Sequence, residues 1–313
     1  MPEVIEHTVF AEGRLSIGLT LPMLSSGNAV ADFDEQIALA RLADELGFAA
    51  LWVRDAPLNS SDYPDPVGHL DPWVLLGAVA SHTKNIALAS GAIVLTLRHP
   101  LHIAKGAISV NTLSRGRFIL GLGSGDHPHE YAAFGIDANE RREVYRRHWD
   151  TVAAAIGREP RVIPDQSPPD APEFFLLPTS ATPVPMIAVG SGGQSVDWIA
   201  RNAIGWMTYH REPEKQRARY SMWRAAVDRV APGEFRAFGV AMGLDLAADR
   251  NEAAEPRSLG YRTGSNDLIR ILREMRENGT HHVTLNLQAS KRPTREILEE
   301  LAAEVLPEFQ IRA

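Results

Sequence analysis

The sequence predicts an α/β fold, a (β/α)8 or TIM barrel with insertions, and three observations carry that expectation. Short runs rich in Val, Ile and Leu alternate with longer amphipathic segments, the order of βα units around a parallel sheet. The apolar runs mostly lack polar alternation, as strands buried on both faces should. At 313 residues the chain suits one such barrel, which typically takes about 250 residues plus insertions. A single domain over 1–313 follows, with its barrel core over about 15–309.

The candidate strands are Leu15–Leu21, Ala49–Arg54, Ile86–Val94, Arg117–Leu122, Met186–Val189, Gly205–Tyr209, Arg236–Met242 and His282–Leu287. Between the first two, Asp32–Leu46 spaces Ile37, Ala40, Leu42, Ala43 and Leu46 by threes and fours, with Asp32 as N-cap and Gly47 as stop. Further helices are expected over Trp73–Ser81, Leu101–Leu113, Asn139–Ile156, Ser195–Asn202, Glu212–Val230, Asp267–Asn278 and Thr294–Leu306. Two stretches break the repeat. Gly157–Pro185 is dense in proline, and Ala247–Gly264 is polar without a clear period; the latter follows a strand, where barrel insertions form lids at the active face.

Composition narrows the function classes. A formal charge of −7 offers no general attraction for nucleic acid or an anionic membrane, so neither is an expected partner. The absence of cysteine rules out disulfides, thiolate ligands and a thiol nucleophile. No stretch approaches ~20 uninterrupted apolar residues, and the N-terminus lacks the pattern of a signal peptide, so a cytoplasmic location is expected.

In a barrel, chemistry sits where strands run into the following loops. The fourth strand runs into Gly121-Leu122-Gly123-Ser124-Gly125-Asp126-His127, where missing Cβ atoms would let a flat ring or a phosphate approach the backbone. A plain tight turn accounts for the same residues. The fifth strand ends in Gly190-Ser191-Gly192-Gly193-Gln194-Ser195, directly before a helix; this Gly/Ser cluster offers N–H and hydroxyl donors to a phosphate. Ser195 also reads as a helix cap. Arg141 and Arg142 open the helix after the fourth strand and could supply charge to the same anion, or be solvated surface residues.

Taken together, the segments resemble the luciferase-like monooxygenase family over about Leu15 to Phe309. The resemblance is carried by Arg98-His99-Pro100, then Leu113-Ser114-Arg115-Gly116-Arg117, then Leu120-Gly121-Leu122-Gly123-Ser124-Gly125, in family order. Asp71-Pro72-Trp73, Phe134-Gly135 and the Gly190–Ser195 run add to it. It implies a barrel holding FMN, or in one branch the deazaflavin F420, at its C-terminal mouth. Gly91-Ala92 matches the place of a non-prolyl cis peptide beneath the isoalloxazine ring, and Gly123 and Ser124 match positions beside it. Arg141 or Arg142, with Ser191, Gly192, Gly193, Gln194 and Ser195, matches the phosphate clamp. A homodimer is also implied.

One departure matters. Where several members carry a histidine beside an acid, this chain has Arg54-Asp55-Ala56, so a histidine base is absent there. Arg54-Asp55 with Pro57-Leu58 resembles a less characterised, FMN-using subgroup, and Arg54 and Asp55 are the residues expected to orient the ring. His127, Tyr209, His210 and Arg211 are candidates for the substrate pocket. Asp126, His127, His129 and Glu130 lack zinc-type spacing, and no metal is expected. The expected activity is an FMN-dependent monooxygenase acting on a small-molecule substrate, with reduced flavin from a separate NAD(P)H:flavin reductase. An F420-dependent reductase or dehydrogenase, a non-catalytic flavin-binding protein, and a barrel for another phosphate-bearing ligand are the rival readings.

Overall fold

The computed structural model describes residues 5–24, 31–60, 67–125, 127–157, 162 and 174–309. A short helix α1 (Ile5–Val9) precedes β1 (Ser16–Leu21), α2 (Phe33–Leu46), β2 (Ala50–Val53), α3 (Pro72–His82), β3 (Ala87–Ser90), the two-residue β4 (Ile93–Val94) and α4 (Pro100–Leu113). There follow β5 (Phe118–Gly123), α5 (Pro128–Ala133), α6 (Arg141–Ile156), β6 (Met186–Val189), α7 (Val196–Asn202), β7 (Gly205–Tyr209) and α8 (Pro213–Val230). The chain continues through β8 (Ala237–Leu246), β9 (Glu255–Arg257), β10 (Gly260–Thr263), α9 (Ser265–Glu277), β11 (His282–Asn286) and α10 (Thr294–Glu300). The strands close in the order β11-β1-β2-β3-β5-β6-β7-β8, with β8 pairing back to β11 and every pair in this ring parallel. This is the predicted (β/α)8 barrel.

Local chemistry sets the helix ends. Asp32 Oδ1 accepts the N–H groups of Asp34 and Glu35 at 2.9 and 3.3 Å, and Gly47 closes α2 with a left-handed φ of 85°. Asp71 and His99 cap α3 and α4 in the same way, each followed by proline at the first helical position. The predicted boundaries differ from the observed ones by a few residues, with one larger difference: the third strand is broken at Gly91–Ala92 into β3 and β4, as the ladder lapses there.

Four elements were not foreseen. Helices α1 and α5 are too short for a periodic signal, with 5 and 6 residues. Within Ala247–Gly264, β9 and β10 form an antiparallel hairpin whose inner strand, β10, pairs parallel with the last four residues of β8, at the mouth end of the ring. Of the Pro-rich stretch, residues 158–161 and 163–173 lie outside the described residues. Its later part runs along α4, where Asn111 Nδ2 donates to Ser180 Oγ at 2.7 Å and to Thr182 Oγ1 at 3.1 Å.

The barrel interior explains why its strands are apolar on both faces. Inward-facing Ala50, Trp52, Ala87, Ala89, Ile119, Ile187, Met207 and Ala237 pack with Ile5, Val9 and Phe10, so α1 plugs the N-terminal end. Trp52 Nε1 donates to His282 Nε2 at 2.8 Å; the ring is thereby the Nδ1–H tautomer and donates to Ser16 Oγ at 2.6 Å, which donates to Val9 O. Following the same inward alternation towards the strand ends, Val189, Ala241, Gly243 and Asn286 are only partly covered and Tyr209 is exposed. The barrel is therefore filled below and open at its C-terminal mouth. Among the described residues no helix is long and apolar enough to cross a membrane.

Burial of imidazoles leaves a pH signature. Desolvation lowers the pKa of His282 to about 3, and those of His281 and His210 to about 4. The folded state holds these rings neutral, whereas the unfolded chain takes up their protons below about pH 6.5. Stability therefore rises with pH between about 4 and 6.5 and is lost on acidification through that window, at up to about 1.4 kcal/mol per pH unit for each histidine. The melting temperature is expected to fall from pH 7 to pH 5; a flat profile would contradict the neutral assignment.

Candidate active site

Asp55, Gly123 and Ser191 follow or end β2, β5 and β6, so all three lie at the C-terminal mouth. The Gly91–Ala92 peptide is cis, as the resemblance implied. A Cβ built on Gly91 would lie 3.0 Å from Trp52 Cε3, so the filled interior reaches the underside of this peptide. A Cβ on Gly123 would lie 3.0 Å from Ala92 Cβ and 3.3 Å from Val189 O. Gly91 and Ala92, half-buried, thus form a shelf almost without side chains, and Gly123, buried against Ala92 and the end of β6, backs it. Ser124 continues the shelf, and its carbonyl accepts from Tyr131 Oη and from Thr96 Oγ1.

Asp55 sits behind the shelf, its side chain 1% exposed. Its Oδ2 accepts Val94 N–H at 3.0 Å and Arg98 Nε at 2.8 Å, while Oδ1 accepts Arg98 Nη2 at 2.9 Å. The same Nη2 donates to Asp71 Oδ2 at 2.9 Å. Arg98 therefore ties both ends of the β2–α3 connection to the segment that follows the cis peptide. Arg54 is half-buried beside His69, with Nη1 and Nε2 3.4 Å apart.

The Gly190–Ser195 loop continues from the shelf. Gly190, Gly192 and Gly193 have φ of 71°, 55° and 73°. At Gly192 the requirement is double, because a Cβ would also meet the Tyr145 ring at 2.8 Å. Tyr145, fully buried on α6, donates its hydroxyl to Leu122 O at 3.0 Å, so one side chain fastens α6 to the end of β5 and seats the loop. Gln194, expected at the phosphate, turns inward: its Nε2 donates to Arg142 O at 2.8 Å and Gly192 O at 3.1 Å, and its Oε1 accepts from Arg146 at 3.0 Å. Ser195 Oγ caps α7 by accepting Trp198 N–H at 3.2 Å. Ser191 Oγ accepts Gly193 N–H at 3.3 Å. Among the described residues, the N–H groups of Gly192 and Ser195 have no acceptor. Arg142 is exposed, and its stem lies against Gly193, whose Cβ would be 3.4 Å from Arg142 Cβ; Arg141 is exposed next to it.

On the strand next to the loop, Tyr209 is 47% exposed at the end of β7. His210 lies on the other side of the strand, 6% exposed, with its ring edge-on to Tyr261 at 5.0 Å. Burial behind the mouth keeps it from the expected pocket wall. Arg211, half-buried, donates its backbone N–H to Gln216. His127 lines a cavity of about 200 Å³ with Leu58, His129 and Glu130, between the loops after β2 and β5. Asp126 lies outside the described residues. Among the described residues no three metal-binding side chains converge.

Sequence reasoning missed Tyr145 and the pairing of Arg98 with Asp55. Tyr145 carries a faint signal, one helical turn beyond Arg141, whereas nothing in the local sequence pairs Asp55 with an arginine 43 positions on.

A flat, side-chain-poor shelf leading into a Gly/Ser loop is the arrangement a planar, phosphate-bearing cofactor would need. Residues 12–312 match the luciferase-like monooxygenase family, and the chain belongs to that family of oxidoreductases. An uncharacterised protein of Mycobacterium tuberculosis is 29% identical over 209 residues, covering 60% of this chain and 73% of the relative. Two solved structures share the fold. An F420-dependent secondary alcohol dehydrogenase in complex with an F420-acetone adduct has a TM-score of 0.74 at 14% identity, covering 95% of this chain and 100% of its own. The oxygenating constituent of 3,6-diketocamphane monooxygenase from Pseudomonas putida, in complex with FMN, has a TM-score of 0.70 at 15% identity, covering 95% and 99%.

Proposed function

We infer that the chain is an FMN-dependent monooxygenase for a small organic substrate, with reduced FMN supplied by a separate NAD(P)H:flavin reductase. The observation that carries this reading is the continuity of the Gly91–Ala92 and Gly123 shelf with the Gly/Ser loop and Arg142. A flat ring system fits the shelf, where side chains end at Cβ. One phosphate monoester fits the N–H groups of Gly192 and Ser195 with the guanidinium of Arg142. The same reading places the protein in the cytoplasm as a homodimer.

When bound, FMN supplies the redox chemistry, its reduced form passing electrons to dioxygen or directly to an acceptor. The protein's own residues position and shelter. Asp55 and Arg98 lock the backbone after the cis peptide, so the shelf keeps its shape. Asp55 orients through that lock, because both its oxygens are engaged. Arg54 stands beside it at the edge of the shelf. Tyr145 and Gln194 hold the loop's donors in place. Tyr209, Arg211 and His127 line the entrance through which a substrate reaches the shelf.

The F420-bound neighbour is the specific ground for a second reading, an F420-dependent reductase or dehydrogenase. The two are separated by supplying the protein with FMN, NADH and a flavin reductase, or with reduced F420, and following cofactor oxidation against a panel of small organic compounds. Substrate-dependent product formation in the FMN arm, with oxygen consumed, is expected. Turnover only with F420 would establish the second reading, and turnover with neither would leave a flavin-binding protein.

A further inference from the structure

We propose that the N-terminal face of the barrel carries a second anion site, remote from the mouth, that takes a small phosphate monoester. The segments leading into β1, β8 and β11 meet helices α8 and α9 there around a cavity of about 210 Å³, lined by Glu12, Arg14, Tyr220, Arg224, Phe235, Arg276 and His281. Drug-sized ligands occupy about 300–1,000 Å³, so the site suits a compact molecule and is too small for a dinucleotide.

Its lining is built, with a buried donor at its floor. His281 is 5% exposed, wedged edge-on against Phe235 at 4.9 Å. Its Nδ1 accepts the Phe238 N–H at 3.0 Å, which fixes the Nε2–H tautomer. That Nε2–H has no acceptor among the described residues, and His281 borders the cavity. Burial holds the ring neutral, with its pKa lowered to about 4, so the group stays a donor at neutral pH.

Three guanidinium groups stand around this floor with a single carboxylate, Glu12, on the wall. Arg224 is paired with Asp228 at 3.0 Å, and Arg276 lies over the Phe309 ring at 5.7 Å. Among the described residues neither Arg14 nor Arg276 has a carboxylate partner. In a chain of net charge −7, this is a local excess of positive charge with the planar forks that suit phosphate oxygens. The aromatic wall decides for an ester over the bare ion: Tyr220 and Phe235 offer ring surface to an organic body beside the charged rim. Gly279, with φ of 88°, is the residue that lets the α9–β11 turn lie directly on Tyr220.

The test is thermal stabilisation of the protein held in saturating FMN, which fills the mouth's own phosphate seat, by phenyl phosphate and by inorganic phosphate, each against chloride at equal ionic strength. Both should raise the melting temperature saturably, phenyl phosphate at lower concentration. Arg224→Ala with Arg276→Ala should weaken the effect at least tenfold. Arg14→Ala, at an exposed loop residue, should weaken it also without removing a packed side chain. FMN titration should be unchanged in these variants, and Arg142→Ala should leave the phenyl phosphate response intact. No saturable response, or one lost in Arg142→Ala and kept in the Arg14, Arg224 and Arg276 variants, would overturn the proposal.

Discussion

Arg142→Ala is expected to weaken FMN binding by about 1.5–3 kcal/mol, the scale of a hydrogen bond to a charged group, while riboflavin binding changes far less. The contrast isolates the phosphate, because riboflavin has the ring and ribityl chain without it. Arg142 is the better of the two neighbouring arginines, since its stem lies against Gly193 and its carbonyl accepts from Gln194. Arg141→Ala should have the smaller effect. Fluorescence titration of both variants with both ligands decides the matter. Unchanged FMN affinity in the two single variants, or equal losses for FMN and riboflavin, would remove these arginines from the clamp.

Asp55→Ala should destabilise the fold by about 3 kcal/mol, the low end for removing one partner of a buried ion pair. The side chain is 1% exposed and satisfies Val94 N–H together with two arginine donors. Arg98 retains Asp71, which keeps the loss from being larger. Asp55→Asn keeps the shape and one acceptor and should cost less. Urea unfolding of the wild type, Asp55→Ala, Arg98→Ala and the double variant gives the coupling between the two groups. The same shelf should then bind FMN more weakly in Asp55→Ala. Full stability with unchanged FMN affinity would show that the pair does not hold the shelf.

What the sequence made legible were features whose cause is local. Asp32 and Gly47 bound a helix because a short acceptor and a left-handed residue act on their own neighbours. The parallel barrel was readable because strands buried on both faces lose their polar alternation. The Gly91–Ala92 position was reached through resemblance and is cis in the structure. Features made by contacts between distant segments were not legible. The partners of Asp55 lie 39 and 43 residues away, and the seat for Gly192 is a tyrosine on another helix. His210 shows the opposite limit, since a strand end alone does not say which side a side chain takes. His210 points away from Tyr209, and β10, paired with β8, covers it there with Tyr261.

In the proposed function, a bare shelf and a Gly/Ser loop hold FMN at the mouth of the barrel. Equilibrium titration of the purified protein with FMN, reduced FMN and F420, followed by absorbance and fluorescence, tests it most directly. Saturable, one-to-one binding of oxidised or reduced FMN, tighter than that of F420 and weakened by Arg142→Ala, is expected. Tighter binding of F420, or no stoichiometric uptake of FMN in either redox state, would contradict it.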